Sequence, residues 1–237
     1  MKQIKLLSSF ALAGMLLFAC NNGDQKTAAT DSTSIKDSSA VKTETAVKPV
    51  YTMLILHKVK NFAKWRAAYD AGDSARVANG LHNFVIGRGA EDSSMVLVAL
   101  TVDDTTKAKQ FGESADLKAT MQKAGVVGTP QVRLNEMFRL VTDTASNRVV
   151  VMHKVKDFDT WKKVFDSHKQ TRTDAGLTDR SYGYSTSDHN MVSVVFTVND
   201  MAKAKAFMDS KDLKDKMTEA GVIGKPDVFA YHVVQQY

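Results

Sequence analysis

The sequence predicts an α+β fold in which two β-α-β-β-α-β repeats lie in one chain and pack their sheets against each other. Three observations predict it. The first is repetition. His57-Lys58-Val59-Lys60-Asn61-Phe62-Ala63-Lys64-Trp65 returns as His153-Lys154-Val155-Lys156-Asp157-Phe158-Asp159-Thr160-Trp161, an offset of 96. At that offset, without a gap, Gly80 falls on Gly176, Gly87 on Gly183, Met121 on Met217, Gly125 on Gly221 and Pro130 on Pro226. Repetition decides architecture before any local signal does. The second is the order of strand and helix signals within each copy. The third is strand composition: Met53-Leu54-Ile55-Leu56, Val96-Leu97-Val98-Ala99-Leu100 and Val149-Val150-Val151-Met152 are nearly unbroken apolar runs. A sheet wet on one side alternates apolar and polar residues, so strands like these have both faces buried.

Taken in order, residues 50–59 read as a strand, and Asn61 opens a helix as its cap, with Asp157 in the second copy. Phe62, Trp65 and Tyr69 recur at helical spacing, echoed by Phe158, Trp161 and Phe165. Gly80 and Gly176 stop these helices. Strands follow at 81–88 and 95–102, joined by a polar turn through Asp92 and Ser93. Asp104 caps a second helix that points Ala108, Phe111, Leu117, Met121 and Ala124 inward, with a break and fresh cap at Ser114. Gly125 ends it, Pro130 bounds a loop, and 132–141 is the last strand. Each copy therefore has the ferredoxin-like order, the first over residues 50–142 and the second over 148–237. The helices cover one face of each sheet. The sheet of the other copy is available to cover the second, which makes a pseudo-dimeric α/β barrel and a monomer in solution.

The amino terminus is of another kind. Lys2 and Lys5 form a basic segment, followed by an apolar stretch too short to remain as a membrane span. Leu17-Phe18-Ala19-Cys20 resembles the lipobox of bacterial lipoproteins, in which the signal peptide (here 1–19) is removed and a diacylglycerol is attached to the cysteine. Cys20 is the only cysteine, so no internal disulfide competes for it. Residues 20–49 are polar and nearly free of large apolar side chains, which makes them a tether with a reach of about 30 Å. The resemblance implies an envelope protein held to a membrane through Cys20. Asn21 in place of aspartate favours the outer membrane, facing the periplasm. The net charge of +6 falls to +4 without Lys2 and Lys5, too little and too interspersed to argue for nucleic acid.

The globular part resembles the dimeric α/β-barrel superfamily of antibiotic-biosynthesis monooxygenases and stress-responsive barrel proteins. His153-x-Val155-x-Asp157-Phe158-x-x-Trp161, with the later Ala220-Gly221-Val222-x-Gly224-x-Pro226, is similar to small single-copy bacterial members. That implies the fold and says little about activity.

His57 and His153, at the ends of the first strands, are the candidate catalytic residues. Glu136 beside His57, or His232 beside His153, would make a general base or an iron-holding pair. The competing reading is a strand-end histidine bonded to a backbone carbonyl and packed on Trp65 or Trp161. On the second strand of each copy, Phe84, Ile86 and Arg88 share one face, matched by Arg180, Tyr182 and Tyr184. If that face lines the barrel, Arg88, Arg180, Tyr182, Tyr184 and His232 would hold a small apolar or aromatic ligand, Arg180 pairing with a carboxylate. The alternative is an edge strand protected by charge. His82, His168 and His189 have no counterparts and read as surface residues. No metal motif, nucleophile elbow or phosphate loop is present, and haem enters only through the resemblance. The leading expectation is a ligand-binding module. A cofactor-independent monooxygenase-like or haem-handling enzyme and a structural lipoprotein are the alternatives.

Overall fold

The structure is a computed structural model that describes residues 49–141 and 144–237. Residues 1–48, with the expected signal peptide, Cys20 and nearly all of the tether, lie outside the described residues, as do 142 and 143. The first repeat runs β1 (Val50–Val59), α1 (Phe62–Ala71), α2 (Asp73–Ala78), β2 (Leu81–Gly89), β3 (Met95–Val102), α3 (Thr105–Glu113), α4 (Ala115–Ala124) and β4 (Val126–Met137). The second runs β5 (Asn147–Val155), α5 (Phe158–Ser167), α6 (Lys169–Asp174), β6 (Leu177–Ser185), β7 (Asp188–Val198), α7 (Met201–Asp209), α8 (Lys211–Glu219) and β8 (Val222–Gln236).

The helices begin where the caps predict. Asn61 accepts from the Lys64 amide, Asp157 from Thr160, and Asp104 from Thr106 and Lys107, each satisfying an orphan donor of a first turn. Ser114 accepts from the Leu117 amide at the expected break between α3 and α4. A second break, between α1 and α2 at Gly72 and between α5 and α6 at His168, was not foreseen. Its cause is a buried arginine. Arg76 Nη1 donates to the Tyr69 carbonyl at 2.7 Å, and Arg172 Nη1 to the Phe165 carbonyl at 2.6 Å, each sharing a last-turn carbonyl with the amide of Gly72 or His168.

The last strand of each repeat starts at once after Gly125 or Gly221, where a loop up to 131 was expected. Gly125 turns the chain in the left-handed region at φ 88°, and β4 pairs immediately with Val59. Pro130 then falls at a register shift opposite His57, where a missing N–H costs the ladder nothing.

The eight strands form a closed barrel in the order β1-β3-β2-β8-β5-β7-β6-β4. Each repeat supplies a four-stranded sheet, and the seams are β2 with β8 and β4 with β6. Strand faces sort accordingly. Leu54, Leu56, Val85, Leu97, Val150, Met152 and Tyr231 fill the interior. Met53, Ile86, Val96, Val98 and Leu100 lie under Trp65, Ala108 and Ala124. Val192, Val194 and Phe196 lie under Trp161, Ala204 and Phe207. Both faces are buried, as the apolar runs require, at roughly 1.5–3 kcal/mol for each large side chain.

Closure corrects the edge-strand alternative, since β2 and β6 are paired on both sides. It also depends on close approach at the seams. A methyl at Gly183 would sit 2.0 Å from the Glu136 carbonyl oxygen, and one at Gly87 would sit 2.3 Å from the Tyr231 ring. Gly183→Ala is therefore expected to destabilise the protein by about 2–4 kcal/mol. Gly87→Ala meets a side chain rather than backbone and should cost less. Urea denaturation midpoints of the two variants check the order.

Candidate functional site

The turn from β1 into α1 lays Trp65 over His57, with ring centroids 5.3 Å apart. The same turn in the second repeat sets Trp161 on His153 at 5.8 Å. Both histidines project to the helix side of the sheet, away from the barrel interior, because β1 and β5 alternate and Met53 and Val149 share that side. The expected packing on tryptophan is present. The expected carbonyl bond is not: all four ring nitrogens of His57 and His153 are buried and lack a hydrogen-bond partner. Burial lowers each pKa from 6.5 to about 4, so both rings are neutral at pH 7, each with one donor and one acceptor.

The pairings proposed from sequence are absent. Glu136 stands opposite Tyr51, six residues along β1 from His57, a separation of about 20 Å. His232 stands opposite Asn147 and bonds to it through Nδ1 at 2.8 Å, at the other end of β5 from His153.

The five expected ligand contacts do not converge either. A bulge in β6 between Asp179 and Ser181 turns Arg180 into the barrel, where Nη1 donates to Thr197 Oγ1 at 3.0 Å. Beyond the bulge, Tyr182 and Tyr184 face the helix side and pack with Phe138, Phe158 and Phe165. Arg88 lies over the Phe62 ring and donates to the Ser93 carbonyl. The bulge breaks the alternation on which the shared-face reading rested. Among the described residues the barrel interior holds a small void of about 60 Å³, lined among others by Thr52, Asn135, Arg148, Arg180 and Tyr231.

The larger spaces lie between sheet and helices, one per repeat. The first, about 220 Å³, is lined by His57, Trp65, Tyr69, Arg76 and apolar residues of β1, β3 and α4. The second, about 120 Å³, is lined by His153, Trp161, Phe165, His168 and Arg172. Three matched positions explain the difference. Ala68, Gly72 and Gly112 in the first repeat stand where Val164, His168 and Met208 stand in the second. Every exchange adds bulk to the second cavity.

Arg76 and Arg172, paired at the offset of 96, are not marked by sequence, because a matched arginine on a polar helix has the pattern of a solvated one. Both are buried. Each guanidinium stacks on an aromatic ring, Tyr69 at 3.7 Å and Phe165 at 3.6 Å. Arg76 pairs with Asp73 and bonds to Asn83, whereas Arg172 forks onto Asp179. His168 is likewise buried rather than at the surface, and meets Asp212 Oδ2 at 2.7 Å. His82 is on the surface as expected, and His189 stacks on Tyr184. Among the described residues no cluster of three or more His, Cys, Asp or Glu is arranged to hold a metal ion.

No known family profile matches this chain, and no curated protein matches its sequence. Solved structures do match. A candidate monooxygenase from Fusobacterium nucleatum superposes with a TM-score of 0.53 at 11% identity, covering 79% of this chain and 93% of that one. An anthrone oxidase-like protein gives 0.53 at 14%, over 79% and 92%. A candidate chlorite dismutase gives 0.51 at 16%, over 79% and 95%. At these identities the likeness establishes the ferredoxin-like, dimeric α/β-barrel fold.

The two histidines make stability depend on pH in a definite sense. Unfolded, each binds a proton below about 6.5; folded, only below about 4. The unfolded chain therefore holds more protons between these values, and stability falls as pH drops through that window. The slope is about 1.4 kcal/mol per pH unit for each ring. His57→Phe with His153→Phe should flatten the slope between pH 6.5 and 5. At pH 7 each replacement should leave stability unchanged or raise it by about 1 kcal/mol, because an unpartnered polar group is removed. Chemical denaturation across pH measures both effects.

Proposed function

We propose that this protein is a small-molecule-binding module of the cell envelope, and that its site is the cavity of the first repeat, beneath α1 and α4. The observation that carries this reading is His57. A buried imidazole without a hydrogen-bond partner costs about 1–3 kcal/mol, and His57 lines an apolar cavity of about 220 Å³. A cavity of about 150 Å³ with apolar walls accepts benzene, so this one suits two fused or linked rings. The ligand is a small, largely apolar or aromatic molecule with one polar group on His57, and it is neutral at that end because the imidazole is neutral.

Binding is favoured over turnover by what surrounds His57. A general base needs a partner that orients it, and neither ring nitrogen has one. Haem chemistry would use a neutral imidazole as iron ligand, which His57 provides. The cavity does not fit the group: it is sized for two rings rather than a four-pyrrole macrocycle, and Trp65 packs against the imidazole at a tilt of 51°.

The lipobox-like segment supports attachment through a lipid on Cys20, at the outer membrane facing the periplasm. Two or more acyl chains hold a protein stably at a bilayer. The second repeat supplies the partner sheet, so the soluble part acts as a monomer.

Two experiments test this. 2-Naphthol, titrated into the soluble domain, should quench or shift Trp65 fluorescence and raise Tm, and Ala68→Phe should abolish both effects by filling the cavity. A response unchanged in Ala68→Phe would remove the site. In cells, radiolabelled palmitate should enter the protein and be lost in Cys20→Ser. Equal labelling of the two would remove the anchor.

A further inference from the structure

The second repeat carries, as its own side chain, an occupant for the space that the first repeat leaves open. In the second cavity the imidazole of His168 extends from the α5–α6 junction, lies 5.6 Å from the Phe207 ring, and meets Asp212 Oδ2 at 2.7 Å. The matching wall exists in the first repeat. Phe111 stands for Phe207 and Asp116 for Asp212, and both line the first cavity. The ring alone is missing, because Gly72 stands for His168. The backbone is the same at both junctions, φ −84° and ψ 7° at Gly72 against −95° and 13° at His168. A histidine at position 72 would therefore need no change of backbone, and its Cβ would meet the Arg76 guanidinium at 3.3 Å, the flexible end of a side chain that shifts by a few tenths of an ångström.

We propose that the first cavity takes a ligand ending in a basic, N–H-bearing heteroaromatic ring of the imidazole type, seated against Phe111 with its N–H on the Asp116 carboxylate. This rests on the binding site proposed above and names the chemistry of its second end. The first end is His57. Between them the cavity follows α1 from Trp65 past Tyr69 to Gly72, about 10 Å at 1.5 Å per residue. α4 lines the cavity along its length, from Asp116 to Ala124. The ligand is thus an elongated molecule of two linked rings, with an apolar middle under Trp65 and Tyr69. Its basic ring meets a carboxylate at one end, and its other end meets a neutral imidazole.

Two compounds of nearly the same shape test it: 4-phenylimidazole, and 2-phenylfuran, which lacks the ring N–H. The imidazole should bind the soluble domain about tenfold more tightly, the ratio expected of one hydrogen bond to a charged group. Asp116→Ala, an exposed position, should bring the two affinities to within about threefold. Gly72→His should block 4-phenylimidazole while leaving the protein folded, as the second repeat already is. In His168→Gly, free imidazole should recover much of the Tm lost by the substitution. Equal binding of the two compounds, indifferent to Asp116→Ala, overturns this inference and leaves the binding site standing. Failure of both compounds and of 2-naphthol overturns the binding site as well. Absence of recovery in His168→Gly overturns the use of His168 as a template.

Discussion

Barrel closure is the constraint on which the other features depend. Two four-stranded sheets that met only face to face would leave four strand edges with unpaired backbone groups, each a route to aggregation. Here β2 pairs with β8 and β4 with β6, and no edge remains. Closure requires the seams to come very close, which Gly183 and Gly87 permit. It also fixes what each strand face can do. The interior, filled from both repeats by Leu54, Leu97, Val150, Met152 and Tyr231, keeps almost no free volume. Any sizeable cavity must then lie on the outer faces, where helices spaced off the sheet by aromatic side chains leave room.

Against that frame the two repeats have diverged in a consistent direction. The second is the better packed. It has the aromatic cluster of Phe158, Tyr182 and Tyr184, joined by Phe138 from the end of the first repeat, the bidentate Arg172–Asp179 pair and the His168–Asp212 contact. In the first, Gly72, Gly112 and Ala68 withhold side chains from the corresponding space. Unfilled apolar space costs stability in proportion to its volume, and glycine near a helix end adds backbone entropy to that cost. A repeat with only a structural duty would fill the space as its twin does. The pattern is the one expected when one copy supports the scaffold and the other is kept hollow.

Much of the fold was legible in sequence. The offset of 96 announced two copies, the caps at Asn61, Asp104 and Ser114 placed the helices, and the unbroken apolar runs required burial on both strand faces. What escaped were features set by single tertiary contacts. The bulge at Arg180 is one inserted residue on a paired strand, and nothing in local composition marks it. The break at Gly72 comes from Arg76 reaching back to a carbonyl, and a buried arginine has the same letter as a solvated one. The site was half legible. His57 and Trp65 were singled out because they repeat, but the direction in which His57 points depends on strand parity and closure together. Assigning the cavity to the barrel interior followed from knowing that two sheets face each other without knowing how tightly Leu, Val and Met fill the gap.

His153 separates the cost of the buried imidazole from the size of the cavity it lines. His153 is buried, neutral and without a hydrogen-bond partner, as His57 is, yet the cavity it faces has been narrowed by Val164, His168 and Met208. A buried histidine without a hydrogen-bond partner costs stability. A structural role gives no reason for it, since phenylalanine would pack on Trp161 equally well and leave no polar atom exposed to an apolar wall. His168 occupies the far end of the second cavity, while His153 packs on Trp161. The unpartnered nitrogens of His57 and His153 are thus one feature seen twice: in the first repeat with space for a partner, in the second with that space partly taken by the chain itself.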